Sequence, residues 1–261
     1  MEALTTRFHA LHERDRLFVM PNPWDVGSAK LLATAGFEAL ATTSQGLAWS
    51  IGKRDQQVTS DELVAHVREL AAATELPLNV DSERCYPDEP GGVAETVARL
   101  ADAGAAGFSI EDYDPGTGRI DDVELATERV SVAAGAAAGM VLTARCENHL
   151  HGIDDLDDTI ARLVAYRDAG AHVVYAPALI ELDQIARLVG EVGVPVNVLA
   201  LPAGPSVQEL ASVGVRRVST GSLLTSAAYG ALVEAASELR DQGTSSYALR
   251  GLSADARRAF G

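Results

Sequence analysis

Along this chain, short apolar and β-branched runs alternate with longer amphipathic stretches, and glycine marks the changeover. Five times an amphipathic run closes on a small pair shortly before a β-rich run: Ala35-Gly36, Ala103-Gly104, Ala169-Gly170, Val192-Gly193 and Val213-Gly214. Glycine just past a helix takes the left-handed conformation at low cost, which is how a short helix-to-strand loop is built. The repeat predicts strands at 17–20, 38–42, 76–80, 107–110, 140–144, 172–175, 195–199 and 216–219. Helices are expected between them at 24–34, 60–73, 92–101, 123–136, 156–168, 181–189, 206–211 and 223–242.

Eight βα units in 261 residues predict an α/β fold closed as a (β/α)8 TIM barrel, which takes about 250 residues. No Pro/Ser/Gly-rich linker divides the chain. Residues 1–261 therefore read as one barrel domain, with 243–261 as a C-terminal helical tail that is a candidate for packing on a neighbouring subunit.

Two of the apolar runs stop abruptly in carboxylates: Leu78-Asn79-Val80-Asp81-Ser82-Glu83 and Ser109-Ile110-Glu111-Asp112. A strand buried on both faces reads as a continuous apolar run, so the acid that ends it marks where the chain leaves the core. Taken singly, such acids suit helix N-termini. Repeated in register on separate strands, they repel unless a cation lies between them, and Mg²⁺ with its oxygen ligands is the usual one.

Charge narrows the partners. A net charge of −16 and a pI near 4.7 argue against nucleic acid, whose phosphates call for a basic surface. No apolar run approaches the ~20 residues of a membrane span, and the first twenty residues lack the apolar centre of a signal peptide. Cys85 and Cys146 make neither a disulfide framework nor a zinc site, so a reducing cytoplasm is the expected location.

In such a barrel the chemistry sits where strands give way to the following loops. Those positions carry Pro21 to Asp25, the small polar turn Thr43-Ser44-Gln45-Gly46, the two acid pairs, and Arg145 with Glu147 and Asn148. Beyond them lie Ala176-Pro177, Asn197 within its strand, and Ser219-Thr220-Gly221-Ser222. Arg145 either neutralises Glu111 or clamps a substrate carboxylate or phosphate with its planar fork. Trp24 either walls the pocket or staples the first helix. The turn at Ser219–Ser222 reads as a helix cap, or as the phosphate site of an ordinary barrel isomerase.

Four motifs in order resemble the phosphoenolpyruvate mutase/isocitrate lyase superfamily over nearly the whole chain. They are the loop from Thr43 to Asp55, Asp81-Ser82-Glu83, Ile110-Glu111-Asp112 and Ala144-Arg145-Cys146-Glu147-Asn148. The resemblance implies a barrel whose eighth helix is exchanged between subunits of a homodimer or homotetramer. It implies Mg²⁺ (or Mn²⁺) on Asp81, with Asp55, Glu83 and Glu111 holding the ion's waters. It also implies Arg145 on a pyruvate-like acid, donors from Thr43, Ser44, Gln45 and Gly46, and looser contacts from Trp24 and Asn197. Asp55 and Glu111 join Arg145 as candidate catalytic residues.

The chain departs from the family where the lyases carry Lys-Lys-Cys-Gly-His. The segment from Asp112 to Ile120 has no Cys, Lys or His, and the Asn and Lys of the mutases are missing too. The expected activity is a Mg²⁺-dependent lyase that cleaves a C–C bond of a small 2-oxo or 2-hydroxy di- or tricarboxylate, oxaloacetate-like or methylisocitrate-like, through a pyruvate enolate. The alternatives are a C–P bond enzyme acting on phosphonopyruvate and a non-catalytic keto-acid binder.

Overall fold

The computed structural model describes residues 2–261. Eight strands build the barrel: β1 (Phe18–Met20), β2 (Leu40–Ala41), β3 (Leu78–Asp81), β4 (Gly107–Glu111), and, after a small hairpin of β5 (Tyr113–Asp114) and β6 (Arg119–Ile120), β7 (Val141–Arg145), β8 (Val173–Tyr175), β9 (Val196–Leu199) and β10 (Arg217–Ser219). The barrel strands run parallel in the order β1-β10-β9-β8-β7-β4-β3-β2, and β5 pairs antiparallel with β6.

The seam between β1 and β2 is bridged at the strand ends. Ala41 N donates to Pro21 O at 3.1 Å, and Asn22 Nδ2 donates to Thr42 O at 2.7 Å. Asn22 Oδ1 in turn accepts from the backbone of Thr220 and Gly221, so one side chain ties β10, β1 and β2 together.

Four of the expected helices have the expected bounds: Ser60–Ala73, Val123–Ala136, Leu156–Asp168 and Leu223–Gln242. Local chemistry sets these ends. Thr59 and Glu62 close a reciprocal capping box at the start of Ser60–Ala73. The expected strand at 38–42 shrinks to Leu40–Ala41, because its neighbour β1 offers little backbone to pair with.

Two helices are additional. The expected turn at Thr43 to Gly46 is the start of the helix Ser44–Ser50, with Thr43 as its cap. The helix Glu2–Glu13 closes the lower end of the barrel. It buries Phe8 and Leu11 completely, in a cluster with Phe18, Met20 and Val141. Gly107 makes room for this plug: a Cβ there would sit 2.6 Å from the Phe8 ring and 2.8 Å from Val141 O.

Barrel centres are ordinarily filled by branched aliphatic side chains. This one is polar. Asn79, Ser109, Thr143, Asn197, Arg217 and Ser219 are all buried there, and most of them line a cavity open at the upper rim. The last long helix, Leu223–Gln242, buries only Thr225 and exposes Leu232 and Val233 by about two thirds. The tail after it carries short turns at Ser246–Arg250, Ala254–Arg257 and Arg258–Phe260, and the Phe260 ring returns to the helix Val26–Thr34 beside Gly27. Among the described residues no helix is long and apolar enough to cross a membrane.

Candidate active site

The cavity at the upper rim has a volume of about 250 Å³. Asp81 ends β3 and is held from two sides: its backbone N–H donates to Thr42 Oγ1 at 2.8 Å, and its Oδ2 accepts from Ser44 N at 3.0 Å. The short helix beginning at Ser44 thus points its first N–H at the carboxylate, the favourable end of a helix for negative charge.

Arg145, at the end of β7, sits among three acids. Its NH1 is 2.7 Å from Asp81 Oδ1, its NH2 3.1 Å from Glu111 Oε2, and its Nε 2.8 Å from Glu147 Oε1. Gln56 Nε2 donates to the other oxygen of Glu111 at 3.0 Å. The guanidinium also lies over the Tyr175 ring, 5.5 Å from its centre. Arg145 neutralises Glu111 and also lines the cavity.

The charges do not balance. Asp55 and Glu83 lie close enough to Asp81 to repel it, so five carboxylates share one guanidinium. Burial, then Asp81 and Asp55, push the Glu83 carboxyl up to about 8. Burial also raises Glu111 well above the usual carboxylate range, against the pull of Arg145. Burial alone would lower Arg145, but Glu147, Asp81 and Glu111 outweigh it and hold the guanidinium charged. Two buried acceptors, Asp55 Oδ1 and Glu83 Oε1, have no partner among the described residues.

Among the described residues no three acidic, His or Cys side chains converge as a ready-made metal cage. The donor set nevertheless fits Mg²⁺, which takes hard oxygen ligands, uses one or two carboxylates and keeps several waters. Partnerless carboxylate oxygens and surplus negative charge are what such a hydrated ion would satisfy. The backbone beside them is held in the left-handed region at Gln56, Glu83, Cys85 and Tyr86, with φ between 47° and 63°. Strain of this kind persists where surrounding structure fixes a functional geometry.

Thr43, Ser44, Gln45, Asp55, Asp81, Arg145 and Asn197 line the cavity together. Glu83 and Glu111 stand behind that lining, buried, and reach it through their neighbours. The Ser44 N–H is engaged by Asp81 and the Gly46 N–H by Thr43 Oγ1 at 3.3 Å, while the Gln45 side chain spans the rim to Ser222 at 2.5 Å. Trp24 lies apart from the lining, edge-on to Tyr229 at 6.4 Å, and Tyr229 stacks on Trp49. Trp24 stands immediately before Asp25, the cap of the helix Val26–Thr34.

Sequence reasoning placed Glu147 at the rim without giving it a role, and it missed Tyr175 and, apart from Asn197, the polar column below. The available signal was parity. Asn79, Ser109, Thr143, Val173, Asn197 and Arg217 each stand two positions before a rim residue, and alternate residues of a barrel strand share the interior face.

The short segment that replaces the lyase loop is the β5–β6 hairpin. Arg84 NH1 binds Asp114 at 2.7 Å, Arg129 pairs with Asp121, and the Tyr113 ring stacks on His151 at 3.8 Å. The hairpin is pinned by its own ion pairs.

The sequence matches the family Phosphoenolpyruvate phosphomutase over residues 8–240. A crystal structure from Burkholderia cenocepacia J2315, provisionally described as a lyase/mutase, superposes with a TM-score of 0.94. It is 48% identical, covering 99% of this chain and 96% of that one. The 2-methylisocitrate lyase of Escherichia coli K12 is 30% identical over 72% of this chain and 68% of its own length. Oxaloacetate decarboxylase 2 of Pseudomonas fluorescens Pf0-1 is 28% identical over 71% of this chain and 65% of its own. With fold, motif order and family match in agreement, the chain belongs to the phosphoenolpyruvate mutase/isocitrate lyase superfamily and is an enzyme of that group of lyases and mutases.

Proposed function

We propose that this enzyme is a Mg²⁺-dependent lyase that breaks a carbon–carbon bond of a small 2-oxo or 2-hydroxy di- or tricarboxylate, leaving the enolate of a pyruvate-like acid. The observation that carries the reading is the surplus of carboxylates at the rim: Asp81, Glu111 and Glu147 on Arg145, with the partnerless oxygens of Asp55 and Glu83 beside them. The relatives named for 2-methylisocitrate and oxaloacetate support the same substrate class.

In this reading Asp81 is the protein ligand of the ion and Asp55, Glu83 and Glu111 hold its waters. Bound there, Mg²⁺ or Mn²⁺ supplies a Lewis acid for the 2-oxo group and for the enolate charge that follows. Ser44 N fixes the Asp81 carboxylate and Thr42 Oγ1 its backbone N–H. Arg145, steadied by Glu147 and the Tyr175 ring, presents its fork to the substrate carboxylate. Gln45, Asn197 and Ser222 supply neutral polar contacts around the remainder of a substrate that fits about 250 Å³.

The helix Leu223–Gln242, with its exposed Leu232, Val233 and Leu239, is the surface through which copies of the chain associate, as a dimer or tetramer. The test is pyruvate release from oxaloacetate and related acids. Activity is expected with Mg²⁺, to vanish with chelator and to be abolished in Asp81→Ala; metal-independent release sinks the reading. Light scattering reports the size of the assembly.

A further inference from the structure

The rim accounts for the keto acid and for the enolate charge, yet none of the residues assigned so far hands a proton to the enolate carbon. The β5–β6 hairpin carries no thiol, amine or imidazole. Across the cavity, three staves round the barrel from Asp81, stands Tyr175 at the end of β8. Its side chain lines the cavity, is 8% exposed, and lies in register with Arg145 on one side and Asn197 on the other.

Three groups surround it. The Arg145 guanidinium lies 5.5 Å from the ring centre, and the Ser219 hydroxyl and the buried Arg217 guanidinium lie close enough to the phenol to interact with it. Arg217 has no carboxylate partner among the described residues: it donates to Asn197 Oδ1, Thr143 Oγ1 and His12 Nε2, all neutral acceptors. Burial, with Glu147 and Asp81, keeps the phenol protonated through the neutral range, while Arg145 and Ser219 pull the other way and Arg217 lies nearby. The serine and threonine hydroxyls of the lining are weaker acids than a phenol and lack this flanking charge. Asp55 and Asp81 belong to the opposite wall.

We propose that Tyr175 is the catalytic acid, placing its Oη proton on the enolate carbon. The assignment rests on the keto-acid reading of the site. The bond from C3 to its departing substituent breaks, with carbon dioxide leaving in the simplest case, and its electron pair becomes the enolate double bond. C3 takes the Tyr175 proton as the ketone re-forms. The phenolate left beside Arg145, Arg217 and Ser219 regains a proton from water after the product departs.

The test uses the Mg²⁺-loaded full-length protein in D₂O. Wild type is expected to exchange the methyl protons of pyruvate by the reverse step, followed by proton NMR, and to bind oxalate, followed by calorimetry. Tyr175→Phe, which keeps the ring, is expected to bind oxalate within about threefold of wild type and to exchange about 100-fold or more slower, the usual worth of a general acid. Given 3-methyloxaloacetate, wild type is expected to put deuterium on one face of the 2-oxobutanoate product, and Tyr175→Phe on both. Ser219→Ala, which leaves the phenol in place, is expected to slow exchange by a smaller factor. Tyr175→Phe that binds oxalate and still exchanges at the wild-type rate overturns the assignment alone. Wild type that neither binds oxalate nor exchanges pyruvate overturns the keto-acid reading and this assignment with it.

Discussion

Two guanidiniums sit inside this barrel, and their surroundings are opposite. Arg145 at the rim is held by three carboxylates, and Arg217 near the floor by an amide, a hydroxyl and an imidazole. Burial lowers Arg217 to about 9, offset only in part by Tyr175, whereas the rim acids drive Arg145 the other way. His12, facing Arg217, is forced down to about 3 by burial and by that charge, and stays neutral. Its Nδ1 meets Phe8 O at 2.8 Å, so Nε2 is free to accept from Arg217. The rim carries a surplus of negative charge that a metal and an acid substrate can use. The floor is a neutral hydrogen-bonded cage that ties the plug helix to three strands.

The sharpest way to break the contrast is to remove each cation. Arg145→Met leaves Asp81, Glu111 and Glu147 buried and unpaired, so stability is expected to fall by about 3–5 kcal/mol and turnover to vanish. Denaturant unfolding and a pyruvate-release assay measure the two effects. Arg217→Met strands only neutral acceptors, and a smaller loss of about 1–3 kcal/mol is expected by the same unfolding experiment. Equal losses in the two variants would show that the carboxylate ring is not what distinguishes the sites.

Titration sharpens the comparison, because the two ends respond to pH with opposite sign. In the chelator-treated protein Glu83 holds its proton up to about 8, while in the unfolded chain it gives it up near 4.5. The folded state therefore binds more protons in that window, and stability is expected to fall as pH rises through it, by at most about 1.4 kcal/mol per pH unit. His12 reverses the sign. It stays neutral when folded down to about 3 but protonates near 6.5 when unfolded, so stability is lost as pH falls below 6.5. Unfolding midpoints across pH should show both slopes, with the alkaline one flattened in Glu83→Gln and by added Mg²⁺.

A smaller effect is expected at the plug. Gly107→Ala drives a methyl into Phe8 and Val141 O and should cost about 1–3 kcal/mol, read as a lower melting temperature, with substrate affinity unchanged. Smallest of all, Trp24→Phe should leave KM for the keto acid unaltered, since the indole packs on Tyr229 outside the cavity.

The rim was far more legible than the floor, and the cause is the kind of signal each leaves. Asp81 and Glu111 interrupt apolar runs at strand ends, so charge appears where a buried strand must stop. Arg217 and Thr143 sit inside β-rich apolar runs, where a polar residue looks like noise until the face it occupies is known. The plug helix Glu2–Glu13 was overlooked because its apolar face is short, and Phe8 and Leu11 mean little without the barrel end they seal. Trp24 shows the converse: a large aromatic near a site motif invites a role, and packing gave it another.

What the chain determined alone was periodic and local: the βα repeat, the glycines past each helix, the capping box at Thr59 and the acids that close β3 and β4. These follow from backbone conformation and hydrophobic spacing, which act over a few residues. What only the tertiary structure decided was which charges meet. Arg145 lies 64 residues from Asp81 and Tyr175 lies 30 from Arg145, and Arg217 lies 205 from His12. Electrostatic energy depends on distance and burial in space, so barrel closure, rather than any motif, assembled the acid ring, the neutral cage and the phenol between them.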